Sequence, residues 1–311
     1  MFKRQSAFEG TESFLKGALH IHTQRSDGEL DAASTVRLYH SLGFDFLALT
    51  DHEIYNRMNH APEVPITVIP GCEGTATVHN ERGYQVFDSV MLGADDDSNL
   101  FIHDEQILTG NALATDGIVA DQYDYQPYLD MIHSKGNITF YCHPEWSSTP
   151  AEMFRDMKGH FAMEIYNTGG DVDNDCDKNA AYWDEVLSYG NRLYGVAVDD
   201  SHSVNHCGGG WVMVKSKNEV RAILAALESG AFYSSCGPEI YDFYVEDSRA
   251  YIKCSPSAKV NMYSFKHPPV VFRGENITEH SFGIGCDFDY VRISVTDENG
   301  KTAWTNPIFL K

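Results

Sequence analysis

His20 and His22, in the run Gly17-Ala18-Leu19-His20-Ile21-His22-Thr23, alternate along what reads as a β-strand. Residues i and i+2 of a strand project from one face. Two imidazoles therefore point the same way, and protonated together they would repel. A shared metal ion suits that pair. Similar residues recur where other apolar runs end. Asp27 follows in Arg25-Ser26-Asp27-Gly28, Asp51 and His52 in Leu49-Thr50-Asp51-His52-Glu53, and Glu73 in Pro70-Gly71-Cys72-Glu73. His143 lies in Tyr141-Cys142-His143-Pro144, Glu164 in Met163-Glu164-Ile165-Tyr166-Asn167, and Asp199, Asp200 and His202 in Val198-Asp199-Asp200-Ser201-His202. One histidine after a strand is commonly a hydrogen-bonded core residue. Repetition at six strand ends points to one metal site. Imidazole with carboxylate suits zinc, manganese or iron, and a bridging carboxylate permits two or three ions.

The elements that must carry these residues alternate strand and helix from residue 15 to about 235. Short apolar strands are expected over residues 18–22, 44–49, 66–69, 138–142, 161–165 and 193–198. The clearest helix covers 219–229, where Val220, Ile223, Leu224 and Leu227 form one stripe. Ser216 and Glu219 have capping-box spacing, and Gly230 sits where a C-cap belongs. Such alternation implies a parallel sheet covered by helices, and in that architecture strand C-terminal ends converge on one face. Beyond about residue 235 the helices cease. Strands are expected over 240–245, 251–254, 259–265 and 290–295, with a turn at Asp297-Glu298-Asn299-Gly300. Residues 1–235 thus read as an α/β unit and 236–311 as a small all-β, sandwich-like unit.

The 311 residues carry 45 acidic and 23 basic side chains, a formal charge of −22. Such a surface disfavours nucleic-acid backbone and anionic membrane as partners. It leaves room for a small anionic substrate, because bound cations invert the field within one cleft. No run approaches a membrane span, and no apolar stretch follows Met1-Phe2-Lys3-Arg4 as in a secretory leader. Seven scattered cysteines without a CxxC fit reduced thiols, so a cytoplasmic location is expected. On that ground the sequons at Asn137 and Asn276 are read as chance. The Asp-rich segment 95–125 reads as a solvated loop or an insertion near the cleft mouth. Histidines 40, 60, 133, 160, 267 and 280 lack acidic company at a strand end, while His79, His103 and His206 lie in loops near the presumed cleft.

Taken in order, His20-Ile21-His22, Ser26-Asp27-Gly28, Thr50-Asp51-His52, Gly71-Cys72-Glu73, His143-Pro144 and Asp200-Ser201-His202 resemble the PHP (polymerase and histidinol phosphatase) family of metal-dependent phosphoesterases. The resemblance covers residues from about 15 to 235, and the β appendage resembles one found behind several PHP domains. It implies a distorted (β/α)7 barrel and a cluster of up to three ions. By the family pattern His20, His22, Glu73 and Asp200 hold one ion, Glu73 shares a second with His143, and Asp27, His52 and His202 hold a third. Asp51 and Asp199 would support neighbouring imidazoles. At one position the family usually has a histidine where this chain has Asp88, leaving an oxygen ligand, a vacancy, or replacement by His79 or His103.

The implied activity is hydrolysis of a small phosphorylated metabolite, a monoester in preference to a diester, by metal-activated water. Arg25 is a candidate phosphate clamp or a plain surface arginine, and Asp51 and Asp199 are candidate proton donors to the leaving group. Glu164, Tyr166 and Asn167 are read as contacts to the rest of the substrate or as structural hydrogen bonders. Two rival readings are an amidohydrolase-type enzyme cutting C–N bonds, which wants a metal-bridging lysine that no strand end supplies, and a non-catalytic metal-stabilised module.

Overall fold

The computed structural model describes residues 3–80, 83–94 and 125–311, the side chains of 79, 80, 83 and 84 excepted. His103 and nearly all of the acidic segment 95–125 lie outside these residues. The chain starts with β1 (Gln5–Ser6), β2 (Phe14–Ala18), α1 (Ala32–Ser41), β3 (Phe46–Leu47) and β4 (Thr67–Val68). A long pair follows, β5 (Gly71–Asn80) and β6 (Gly83–Leu92), then α2 (Gln126–Ser134), β7 (Ile138–Tyr141), α3 (Ala151–Phe154) and β8 (His160–Asn167). Next come α4 (Thr168–Asn174), α5 (Asn179–Ser188), β9 (Tyr194–Val198), β10 (Trp211–Lys215), α6 (Val220–Ser229) and β11 (Phe232–Ser235).

Strands β2, β3 and β4 pair in parallel, as do β7, β8 and β9. The two arcs belong to different sheets, and among the described residues isolated bridges join those sheets at Ile21 to Ser201, His52 to Glu73 and Asn56 to Gly71. In place of the expected (β/α)7 barrel, the described residues form a mixed α/β arrangement without a closed barrel. The physical reason lies at β5 and β6. They follow one another too closely for a crossover helix, so they pair antiparallel over their whole length. The expected strands are displaced as well: that over 18–22 ends at Ala18, and that over 44–49 shrinks to Phe46–Leu47. Past those points the backbone leaves one neighbour for another, as where Asp200 N donates to His20 O at 3.0 Å.

Helix α6 lies where its apolar stripe places it, and Gly230 ends it in the left-handed conformation at φ +77°. The expected capping box does not form. Glu219 is the N-cap, and the Ser216 hydroxyl donates to Lys217 O instead.

The C-terminal strands are β12 (Ile240–Glu246), β13 (Arg249–Ser264), β14 (His267–Gly283), β15 (Tyr290–Thr296), β16 (Thr302–Thr305) and β17 (Ile308–Phe309). The two strands expected over 251–254 and 259–265 are one bulged strand, β13, whose halves pair with β12 and β15. Val245, Ile252, Val260, Ile293 and Val295 share a core with Phe8 and Tyr233. β11 pairs with β16, so the sheet runs on from β2 and β10 into these strands. Arg292 of β15 adds a second tie. Its guanidinium is buried against Trp183 and Tyr263, 4.5 and 3.8 Å from the ring centroids, and its Nε donates to Asp184 at 2.9 Å. Arg292→Ala should cost about 2–4 kcal/mol, since Asp184 is left unpaired but half-solvated. Urea denaturation reads this directly, and a loss below about 1 kcal/mol would show that the tie is dispensable.

Candidate metal centre

The segments after β2, β3, β7 and β9 deliver His20, His22, His52, His143, Asp200 and His202 to one place. Glu73 comes from the start of β5, not from a strand's end as expected, and Asp88 and Glu164 come from within β6 and β8. His22 N donates to Ser201 O at 3.1 Å, Thr50 N to Ile21 O at 2.8 Å, and Glu73 N to Thr50 O at 3.1 Å. These bonds place residues 20–22 beside 50–52, 73 and 200–202. Gly28 lets the turn bearing Asp27 lie on the first strand's end, for a Cβ there would stand 2.5 Å from the His22 carbonyl. Glu53, His143 and Asp200 have positive φ, at 56°, 24° and 48°. Such backbone persists where the surroundings over-determine it, often at functional sites.

Glu73, almost wholly buried, is the hub. Its Oε2 lies 3.2 Å from His20 Nε2, 3.2 Å from His22 Nε2 and 3.1 Å from His52 Nδ1, while Oε1 lies 3.2 Å from His143 Nε2. His20 Nε2 and His22 Nε2 are 3.1 Å apart. Neighbouring ligands about one tetrahedral ion, each at about 2.0–2.1 Å, stand roughly 3.3 Å apart, so this triangle fits a shared ion. Asp200 Oδ1 is 3.4 and 3.2 Å from the same two nitrogens. A second group gathers on Asp27, with His22 Nδ1 at 3.4 Å, His52 Nε2 at 3.6 Å and His202 Nε2 at 3.5 Å. A third joins Glu73 and His143 with Cys142, a thiol that sequence reasoning passed over as a core residue. Asp88 stands beside it, Oδ2 at 4.0 Å from His143 Nε2 and Oδ1 accepting from the Thr75 hydroxyl at 2.7 Å.

The chemistry of the donors fits divalent ions. Glu73 Oε2 and His52 Nδ1 are buried and have no hydrogen-bond partner among the described residues. A buried carboxylate oxygen facing three imidazole nitrogens is costly without a cation. Protons substitute in part. Burial lowers the proton affinity of His22 and His143, but Asp200 and Glu73 outweigh it and raise both imidazoles to about 10. Burial works against charge on Glu73 too, yet His20 and His52 hold its carboxyl well below the usual range. Asp88 is raised to about 6 by burial and by Glu73. Burial raises Glu53 to about 8.

The remaining candidates are placed as follows. Glu164 Oε1 is 2.7 Å from His20 Nδ1, and its Oε2 accepts from His143 N and Asn167 Nδ2, both at 2.9 Å. It thus orients two candidate ligands. The partners of Asn167 Nδ2 include Asp200 Oδ2 at 3.0 Å, and Tyr166 turns to Asp171 at 3.2 Å. Asp51 is buried and accepts from Thr23, Ser26 and Asn56. Asp199, also buried, accepts from the N–H groups of Gly208, Gly209 and Gly210 and from the Tyr39 and Thr168 hydroxyls. Both carboxylates brace loops beside the cluster, an arrangement that suits support. Arg25 is buried, held by Asn56 and His60. It is not among the described residues lining the cavity.

That cavity, of about 990 Å³, opens over the cluster. Two of its lining residues, Glu53 and Trp146, were not singled out from sequence, although each lies one to three positions beyond a candidate ligand.

No family model matches the sequence, and no curated protein matches it. Among solved structures, the chain is similar to a two-domain protein containing a predicted PHP-like metal-dependent phosphoesterase from Bacteroides vulgatus ATCC 8482. The match has TM-score 0.50 and 13% identity, and covers 99% of this chain and 98% of that one. An amidohydrolase from Chromobacterium violaceum with bound sulfate and no metal matches at TM-score 0.43 and 15% identity, over 60% of this chain and 88% of that one. A Bifidobacterium adolescentis ATCC 15703 protein with the provisional name of metal-dependent phosphoesterase matches at TM-score 0.41 and 14% identity, over 61% and 88%. The chain shares the fold of the Bacteroides protein, and its site gathers histidine and carboxylate groups suited to metal.

Ion binding must displace the protons that His22 and His143 hold near neutrality, so affinity should rise with pH. Calorimetric titration of chelator-stripped protein with Mn2+ or Zn2+, in two buffers of different ionisation enthalpy, should show proton release. Glu164→Gln should weaken binding by about 10–100-fold through the loosened His20. Proton-neutral uptake, or unchanged affinity in this variant, would contradict the assignment.

Proposed function

We propose that the chain is a metal-dependent phosphoesterase that hydrolyses a small phosphate ester, a monoester in preference to a diester, at a di- or trinuclear centre. The observation that carries this reading is Glu73, whose two oxygens face imidazoles on both sides beneath an open cavity. Divalent zinc, manganese or iron held there would supply a nucleophilic water at neutral pH and neutralise phosphoryl charge.

The protein's own part is positional. His20, His22, Glu73 and Asp200 would hold one ion, Glu73 and His143 a second with Asp88 in the wall beside it, and, in a trinuclear centre, Asp27, His52 and His202 a third. Glu164 fixes the ring plane of His20 and the backbone of His143. Asp51 and Asp199 keep the ligand-bearing turns in register. No lysine is among the described lining residues, which weighs against the amide-cutting alternative and its bridging lysine. The net charge of −22 favours a small metabolite over nucleic acid, and the scattered free cysteines favour a cytoplasmic setting. No helix among the described residues is long and apolar enough to cross a membrane.

Manganese-loaded protein should hydrolyse p-nitrophenyl phosphate, and His20→Ala should lower kcat/KM by about 1,000-fold or more. Metal analysis should find two or three ions per chain. Failure to turn over any phosphate ester at full loading would reject the reading in favour of a non-catalytic module, and preferential amide cleavage would favour the other rival.

A further inference from the structure

The cavity wall beyond the metal ligands has a chemistry of its own. Trp146 lines it with its side chain more than half exposed, set edge-on to the His143 ring at 5.1 Å. Thr75, Thr77, Gln85 and Ser147 line it too. Glu53 is a further lining residue. Its Oε1 accepts from Thr75 N at 2.7 Å, while Oε2 is buried and has no hydrogen-bond partner among the described residues. An orphaned buried oxygen is costly, and the left-handed backbone of Glu53 adds strain. The cost of the orphaned oxygen is met if it hydrogen-bonds a hydroxyl of a bound molecule.

Charge narrows that molecule further. The described lining residues include Asp27, Glu53, Asp88 and Asp173 but neither lysine nor arginine. Bound ions can neutralise the one phosphate over the cluster, whereas a second phosphate further along the wall would meet no lysine or arginine among the described lining residues and would be repelled by Asp173. An exposed indole beside neutral hydroxyl and amide groups suits a ring with an apolar C–H face and a hydroxyl rim.

We propose that the cavity takes a sugar monophosphate, with Trp146 as the platform for the ring, Glu53 as the positioning residue for a hydroxyl, and no place for a second phosphate. This rests on the phosphoesterase reading and narrows its substrate.

The test uses manganese-loaded full-length protein and three esters: glucose 6-phosphate, cyclohexylmethyl phosphate, which keeps the ring but lacks hydroxyls, and glucose 1,6-bisphosphate. Expected kcat/KM for glucose 6-phosphate exceeds that for each of the others by about 100-fold. Glu53→Ala should reduce its preference over the cyclohexyl ester by about tenfold, mainly through KM, and Glu53→Gln should restore most of it. Trp146→Ala should raise KM for glucose 6-phosphate by about tenfold. Binding of glucose 6-phosphate should also change tryptophan fluorescence in the parent and lose that change in Trp146→Ala. If the cyclohexyl ester or the bisphosphate is cleaved as well as glucose 6-phosphate, the inference falls and the phosphoesterase reading stands. If none of the esters, nor p-nitrophenyl phosphate, is cleaved, both fall.

Discussion

A buried carboxylate cannot stay charged in a protein interior without cations or donors around it, and the structure is arranged about that constraint at Glu73. One of its oxygens faces three imidazole nitrogens and the other faces a fourth. Those imidazoles come from three different segments, two of them on the turn after the first parallel strand. Moving any segment leaves either a stranded negative charge or a cluster of imidazoles with like charge. The strand-end hydrogen bonds among residues 21, 50, 73 and 201 thus set the chemistry as much as the ligands do.

The supporting residues follow from the same constraint. Glu164 is buried and has three partners, each tied to a ligand or to the residue beside one. Asp199 is likewise enclosed by three glycine N–H groups and two hydroxyls. Burial raises its proton affinity, and the N–H donors of Gly208 and Gly210 counter the effect. Each such carboxylate turns a loop into a fixed mount, and the mounts surround a cavity large enough for a ring-bearing ester.

Much of the centre was legible because metal ligation restricts residue type. Histidine beside aspartate at the end of an apolar run is a recognisable pattern, and its repetition singled out His20, His22, Asp27, His52, Glu73, His143, Asp200 and His202. Helix α6 was legible for a similar reason, since its stripe and terminal glycine act locally. The long β14 was missed because it is largely exposed and carries no alternation. The antiparallel pairing of β5 and β6 was missed too, because the segment between Glu73 and Gly93 was read only for its ligand spacing.

The sequence by itself determined which side chains could bind metal, because donor chemistry is a local property, whereas Glu73 lies near the start of β5, not at the strand end expected for it, and Asp88 lies within β6. Tertiary structure alone decided that Glu73 is the hub, that Arg25 is drawn to Asn56 and His60, that Asp51 and Asp199 brace loops, and that Glu53 and Trp146 line the cavity. It also decided that the arcs meet at bridges without closing a barrel. These depend on which distant segments share one interior, and on where burial leaves a charged group with partners or without them.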